Sequence, residues 1–389
     1  MTTIFIFLGV LAVLVLVHEL GHFITAKRNG VGAEEFGFGF PPRLVGIYKD
    51  KKGKRQWVFG NKEITEEIKD REETIYSFNL LPLGGFVKIT GEDGQQKDAM
   101  GEKDNKSFAN KSIWIRFKIL VAGVTMNFIL AIVLFSLAYW LGLPEMLSDK
   151  NTDSSIPITI TAIAPKSPAE KSGLQLGDKV YGLISEQNNK QIFKINSIEE
   201  FQKIIKEHLG KEITLQVKHS SENNLAKISV IPRKNPPVGE GALGIGLAKT
   251  KNIKHSLVES VKLGFITTYN MTVLIFVFLG KLIASPFTHK AVGGDITGPI
   301  GIAKMSGQAA KLGLAFLMQF TAMLSVNLAV INLLPFPGLD GGRILFLIIE
   351  KIKGSPIKQK LEQTINAIGF MILLGLMALV VVKDILRFW

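Results

Sequence analysis

The chain has 389 residues, of which 47% are hydrophobic and only 20% are charged, a balance that indicates membrane-spanning segments rather than several soluble domains. Its net charge of +13 is spread over loops and mixed with acidic residues, so we expect no nucleic-acid partner and expect the lipid bilayer instead. The sequence has no cysteine, which excludes disulfides and thiolate metal sites and leaves His, Asp and Glu as metal ligands.

The first apolar segment, residues 2–26, contains the pattern His18-Glu19-Leu20-Gly21-His22. Residues four apart share a helix face, so His18 and His22 converge on one metal ion while Glu19 stands beside an open coordination position. The alternative, a pair of histidines in a helical core, leaves three polar side chains in hydrocarbon without a partner. The segment has no basic start and no small-residue cleavage site, which favours a retained span over a signal peptide.

Three later stretches are long and apolar enough to cross about 30 Å of hydrocarbon as helices. They predict spans at about residues 119–143, 312–339 and 363–383. Basic residues before the second span and between residues 342 and 362 mark these connections as cytoplasmic. We therefore predict four spans, with both chain ends outside and the histidine pair near the cytoplasmic side.

The stretch from Leu263 to Gly280 is also uncharged and long enough to be a fifth span. If it crossed the membrane, Asp340 would emerge on the face opposite the two histidines. We therefore predict that residues 257–283 lie on the outer surface or against the other spans, within a membrane-surface region at 255–311.

Two prolines and three glycines interrupt the helical pattern between Asn332 and Gly342, near the end of the third span. Unwound backbone at membrane depth occurs only where it is buried in protein or lines a cavity, so this piece should face other helices. Asp340 within it supplies the third zinc ligand that the first span lacks. The alternative places Asp340 in an ordinary helix-end turn and leaves Asn332 unexplained.

A strand-forming run from Leu80 to Thr90 belongs to a predicted cytoplasmic or re-entrant β region at about residues 35–92. Alternating phenylalanines and glycines near Phe38 predict a neighbouring strand. An edge strand binds an extended peptide by strand addition, whereas the alternative is an ordinary hairpin. The candidate substrate-binding residues in this run are Gly84, Gly85, Phe86 and Val87.

The polar segment at residues 149–254 has the size of one small domain. Local signals predict a helix at 198–209, strands near 213–217 and 228–231, and a closing strand within 241–247.

The His18–His22 pattern and the segment from Asn332 to Gly341 resemble the site-2 proteases, which are zinc intramembrane proteases, and the bacterial regulator-of-sigma-E protease branch is nearest. The resemblance implies one Zn²⁺ held by His18, His22 and Asp340, with Glu19 as general base and Asn332 as oxyanion donor. It also points to Asn127, which we group with the candidate substrate-binding residues. Val124 stands where relatives often have proline.

Residues 160–180 resemble the PDZ domains of bacterial envelope proteases, which implies a single PDZ domain that binds peptide carboxyl ends or acts as a size filter. The expected fold is a polytopic α-helical membrane protein with four transmembrane helices, a membrane-associated β-loop and one inserted PDZ domain. The two halves of the protease core are expected at residues 1–144 and 312–389.

We expect an intramembrane zinc endopeptidase of the cytoplasmic membrane that cuts transmembrane segments of single-pass proteins, such as anti-sigma factors, or signal-peptide remnants. The alternative is a PDZ-bearing membrane sensor that binds peptides and has no proteolytic role. A metal transporter would need further intramembrane carboxylates, and the spans offer essentially none beyond Glu19 and Asp340.

Overall fold

The computed structural model describes residues 2–50, 53–60, 74–92, 105–146, 156–185, 192–195, 197–219, 224–237, 239–288 and 297–388. The α-helices are α1 (Thr2–Arg28), α2 (Ile113–Leu141), α3 (Pro168–Lys171), α4 (Ile198–Glu207), α5 (Leu257–Thr288), α6 (Pro299–Leu312), α7 (Leu314–Leu333), α8 (Asp340–Lys353) and α9 (Gln359–Phe388). The strands are β1 (Ala33–Lys49), β2 (Arg55–Phe59), β3 (Ile75–Ile89), β4 (Leu143–Met146), β5 (Ile158–Ile163), β6 (Lys179–Ser185), β7 (Ile192–Lys194), β8 (Ile213–Lys218), β9 (Leu225–Val230) and β10 (Ile245–Ile253).

Within the described part of the chain, five helices are long and apolar enough to cross a membrane, namely α1, α2, α5, α7 and α9. The sequence predicts four spans, and the additional helix is α5, which qualifies over Leu257–Ser285. It packs against α2 and α7. The number of true spans stays a prediction, because length and composition alone identify these helices.

Helix α2 is the centre of the helical region, by which we mean α1, α2 and α5 to α9 together with the small sheet β1 to β3. It packs against α1, α5, α7 and α8. Small residues permit this close packing: a Cβ on Gly21 of α1 would strike the backbone of Ala122, and one on Gly264 of α5 would lie 2.8 Å from the carbonyl oxygen of Ile132. Close backbone approach is the usual basis of helix association in lipid.

The third predicted span is broken where the prolines and glycines occur. Helix α7 ends at Leu333, and Leu334 has the extended backbone typical of a residue before proline. Helix α8 then begins at Asp340. A side chain at Gly341 or Gly342 would strike the backbone of the preceding loop, so only glycine permits this tight return. The break therefore places Asp340 at a helix start inside the helical region.

The small sheet has the strand order β2-β1-β3 and packs against α1. The first half of β1 is flanked on both sides by β3: Phe36, for example, pairs with Tyr76 and also with Val87. Residues 51–52 and 61–73 of the predicted β region lie outside the described residues.

The inserted region, residues 156–253, forms a sheet together with β4, and the strand order is β4-β10-β5-β6-β8-β9, with β7 paired to β6. Its core contains aliphatic side chains of the strands, two side chains of the amphipathic helix α4, Phe201 and Ile205, and several apolar side chains of α3 and the connections. The predicted closing strand begins later than expected, at Ile245, because a turn joins Gly241 and Gly244 first. Residues 149–155 of the predicted domain lie outside the described residues. Strand β4 follows α2 directly and pairs with the end of β10, which tethers this region to the helices.

Candidate metal centre

Three side chains from two distant parts of the chain meet beside α2. His18 and His22 lie on the buried face of α1 and are each 6% exposed, and their Nε2 atoms are 3.2 Å apart. Oδ2 of Asp340 lies 3.0 Å from Nε2 of His18 and 3.3 Å from Nε2 of His22. The structure therefore brings together the three residues that the sequence predicts as metal ligands.

The spacing of these three atoms fits a zinc ion. Four ligands at 2.0 to 2.1 Å from a tetrahedral zinc lie about 3.3 Å from one another, and the three separations here are close to that value. Oδ2 of Asp340 is buried and has no hydrogen-bond partner in the described part of the chain. A buried carboxylate oxygen without a donor is costly, and a cation bound at this point removes the cost.

A hydrogen bond to α2 determines which nitrogen of the His22 ring carries the proton and which faces the cluster. Nδ1 of His22 lies 2.8 Å from the backbone carbonyl oxygen of Ile119 in α2. A carbonyl oxygen only accepts, so Nδ1 carries the proton and donates it, which leaves the lone pair of Nε2 directed at the cluster. A fixed outer hydrogen bond of this kind is typical of metal-bound histidine.

Gly123 of α2 provides the space for both imidazole rings, a role that the sequence does not identify. A Cβ at this position would overlap with Nε2 of His22 and would lie 2.7 Å and 2.8 Å from Cε1 of His22 and of His18. Real Cβ atoms do not approach neighbours this closely, so any side chain would displace the histidines. The only signal in the sequence is a glycine in the middle of an apolar helix, which often marks close packing.

Glu19 lies next to the cluster and is joined to the small sheet. Its Oε2 accepts a hydrogen bond of 3.1 Å from the backbone N–H of Val87 in β3. One turn later, Phe23 of α1 stacks on Phe36 of β1 with ring centroids 4.9 Å apart. The predicted base and the predicted peptide-binding strand are therefore direct neighbours.

Three other predicted site residues are buried around the helix that carries the histidines. Gly84 and Gly85 lie against Val15 and Leu16 of α1, which holds β3 close to that helix. Asn127 is fully buried behind His18 rather than on an exposed surface.

Asn332 lies in the last turn of α7 and is partly exposed. Among the described residues, its side chain has no hydrogen-bond partner, so its amide is available to a bound molecule. The functional roles of Asn332, Asn127 and the β3 residues stay predictions.

Comparison with known proteins identifies the family of the chain. A family model described as peptidase family M50 matches residues 6–60 and 54–376. A protein of Clostridium perfringens that carries a zinc metalloprotease name is 35% identical over 374 residues, covering 96% of this chain and 95% of that protein. A Brucella suis protein with the same kind of name is 30% identical over 404 residues, covering 98% of this chain and 95% of that protein.

The zinc metalloprotease RasP of Geobacillus kaustophilus is 28% identical over 456 residues. The match covers 98% of this chain and 97% of RasP. The matches extend over nearly all of both chains, so they include the helices that carry the cluster. The chain therefore belongs to peptidase family M50, the site-2 proteases, and is a zinc metalloprotease of the membrane.

Proposed function

We propose that this metalloprotease is an intramembrane endopeptidase that cleaves transmembrane segments of single-pass membrane proteins. The observation that carries the proposal is the position of His18, His22 and Glu19. They lie on α1, a helix long and apolar enough to cross a membrane, and they meet Asp340 next to α2. A polar cluster of this kind between membrane helices indicates function, because burying it in hydrocarbon is otherwise costly.

We assign His18, His22 and Asp340 as the ligands of one zinc ion. Bound there, zinc supplies a Lewis acid that polarises the scissile carbonyl and activates water. Glu19 accepts the proton of the attacking water and passes it to the nitrogen of the leaving amine. Asn332 donates its amide N–H to the developing oxyanion, a role that its free side chain permits.

The edge of β3 gives the substrate a place to bind in extended form. Because Phe36 already pairs with Val87 from inside the sheet, the opposite edge of residues 85–89 has no strand partner in the described part of the chain. The N–H of Val87 on that edge points to Glu19. A substrate segment that adds a strand there passes beside the base, and its backbone hydrogen bonds replace those of its own helix.

Contacts at one end of the helical region support a topology with both chain ends outside. Thr3 of α1 lies against α6, and Asp384 of α9 accepts hydrogen bonds from the first turn of α6. Lys304 of α6 pairs with Glu170 of the inserted region at 3.2 Å. These ends therefore share one side with the inserted region, and the basic connection at residues 342–362 belongs to the other, cytoplasmic side.

The same contacts favour four spans over five. Helix α5 follows β10 of the inserted region, and α6 lies at that same end of the molecule. A full crossing by α5 would require a return across about 30 Å of hydrocarbon within about ten residues, with extended and unpaired backbone in lipid. Helix α5 therefore lies against α2 and α7 without a complete crossing.

The inserted region acts as a PDZ-type peptide-binding domain in this proposal. Strand β10 pairs with β5 through Ile245–Lys249 and, on its other edge, with β4 through Thr250–Ile253. The edge of residues 245–248 that faces away from β5 therefore has no strand partner in the described part of the chain, and α4 packs against β10. An open strand edge beside a helix is the place where an extended peptide adds as a strand.

The proposed activity is tested with a tagged single-pass reporter whose outer domain has been trimmed, incubated with purified wild type and with Glu19→Gln in detergent with zinc. We expect cleavage by the wild type and at least about 100-fold slower cleavage by Glu19→Gln, because a general base contributes that much to the rate. Glu34→Gln is the matched control, because Glu34 pairs with exposed Lys88 on the same small sheet. If a panel of reporters is cleaved by no variant, the peptide-binding sensor becomes the better hypothesis.

A further inference from the structure

We infer that Asn127 is a positioning residue of the zinc site. Its carboxamide oxygen accepts the Nδ1–H of His18 and so directs Nε2 of that ring towards the metal. The inference rests on the proposed ligand set of His18, His22 and Asp340, and it gives Asn127 a different role from the substrate contact that the sequence predicts.

The position of Asn127 places its side chain behind the His18 ring. It lies one helical turn after Gly123, on the same face of α2, and is 0% exposed. Nδ2 of its carboxamide lies 3.3 Å from Nδ1 of His18. A fully enclosed side chain has no surface to offer to a substrate, so its effect must pass through the imidazole that it touches.

The hydrogen-bonding capacity of the two groups determines how they pair. If Nε2 of His18 gives its lone pair to zinc, Nδ1 carries the proton and needs an acceptor. Oδ1 of Asn127 is buried and has no hydrogen-bond partner among the described residues. Nδ2 and Oδ1 of a carboxamide have nearly the same size and shape, so the group can be turned over at this position. With Oδ1 in place of Nδ2, the Nδ1–H of His18 has an acceptor and Oδ1 has a donor.

The two zinc histidines are then held in the same way. His22 donates Nδ1–H to the carbonyl oxygen of Ile119. With the carboxamide turned over, His18 donates Nδ1–H to Oδ1 of Asn127. Both acceptors belong to α2, so this one helix sets the tautomer and the ring orientation of both ligands. Such outer partners normally contribute about 10- to 100-fold to metal affinity.

A second contact fixes the backbone of Asn127. Oγ of Ser325 in α7 donates a hydrogen bond of 2.7 Å to the carbonyl oxygen of Asn127. This bond joins α2 to α7 at the level of the site without involving the carboxamide. Ser325 therefore provides a matched control, because Ser325→Ala disturbs the same helix contact and leaves the acceptor of His18 in place.

The test is the zinc dissociation constant of the full chain in detergent, measured by competition with a chromophoric chelator. Asn127→Leu has a similar shape but no acceptor, and we expect it to raise the constant about 10- to 100-fold. Asn127→Asp restores an acceptor oxygen and should return the constant close to that of the wild type. Ser325→Ala should also stay close to the wild type.

A spectroscopic readout separates positioning from general damage. The visible absorption of the cobalt-loaded protein reports ligand geometry, so it should change in Asn127→Leu and be restored in Asn127→Asp. Thermal unfolding of the metal-free variants checks that they fold. The inference is overturned if Asn127→Leu binds zinc like the wild type, if Asn127→Asp fails to restore binding, or if Ser325→Ala weakens it equally. Failure of the wild type itself to bind zinc would instead overturn the ligand set.

Discussion

The helical region and the inserted region place their polar and apolar side chains in opposite ways. In the inserted region, large aliphatic side chains such as Ile158, Leu183 and Leu215 fill the core. In the helical region, the interior holds the His18 and His22 pair and many small residues, whereas large apolar side chains of α5 and α9 are exposed. The first pattern suits water as the solvent, and the second suits lipid.

The difference shows where each region can carry chemistry. A water-solvated domain buries its apolar groups and keeps its polar groups outside, so we propose that it binds ligands at an edge such as the open side of β10. A lipid-solvated bundle can keep water and ionisable groups only in its interior, so its reactive site must lie between helices. Space for that site comes from glycines, which have no side chain, and Gly123 is the clearest case.

The largest effect is expected on zinc affinity, from filling the gap beside Gly123. Gly123→Ala places a methyl group against His22 and His18, so zinc affinity should fall by at least about 100-fold through displaced ligands. Gly9→Ala in α1 is the control, because a Cβ there meets no atom within 4 Å. Chelator competition measures both variants, and near-normal zinc binding by Gly123→Ala would show that the histidines do not depend on this gap.

A cavity created by mutation in the core of the inserted region should lower the stability of that region and leave the metal centre unchanged. Leu215 of β8 is 0% exposed, so Leu215→Ala should lower the free energy of unfolding of this region by about 2 to 5 kcal/mol. Leu225→Ala, at an exposed position of the neighbouring strand, should cost far less. Hydrogen exchange of the amides at residues 213–230 measures the change. If Leu215→Ala also shifted the zinc dissociation constant, the two regions would be energetically coupled.

A smaller effect is expected where the small sheet meets α8. Arg343 of α8 pairs with Glu92, which follows β3, so the proposed substrate strand is tied to the helix that starts with Asp340. Arg343→Met should raise the KM for a transmembrane reporter about tenfold, because hydrogen bonds between charged groups contribute roughly that much. Glu34→Gln removes a more exposed ion pair of the same sheet from β1 and serves as the control. An unchanged KM in Arg343→Met would separate this ion pair from substrate binding.

The sequence predicts the metal cluster because its members follow local rules. Helical spacing places His18 and His22 on one face, and the prolines and glycines after Asn332 predict the break that brings Asp340 inside. The expected helices and strands of the inserted region also follow from local periodicity, with errors at their ends such as the later start of β10.

The remaining site contacts depend on how distant segments pack. Helix α2 is apolar all around, so its sequence does not show that Gly123 and Asn127 face α1. The bond between Glu19 and Val87 likewise depends on the docking of β3 onto α1. These contacts join residues far apart in the chain, and no local pattern in a single sequence encodes their register.

The smallest effect is expected at the ion pair that connects the inserted region with the helical region. Glu170 of α3 accepts a hydrogen bond of 2.6 Å from the backbone N–H of Lys166, and its other oxygen pairs with Lys304 of α6. The bond from Lys166, assisted by Lys304, lowers the pKa of Glu170 from the ordinary value of 4.5. Charged Glu170 therefore stabilises the folded state above pH 4.5, and this contribution is lost as the pH falls through the folded-state pKa.

Glu170→Gln should lower the free energy of unfolding by at most about 1 kcal/mol at pH 7, because exposed ion pairs are screened by solvent. Unfolding of both proteins from pH 7 down to pH 3 measures the difference, which should shrink as wild-type Glu170 is protonated. Glu207→Gln, at an exposed end of α4, controls for the loss of a negative charge elsewhere in the inserted region. A difference that stays constant at low pH would mean that Glu170 joins the two regions by packing rather than by charge.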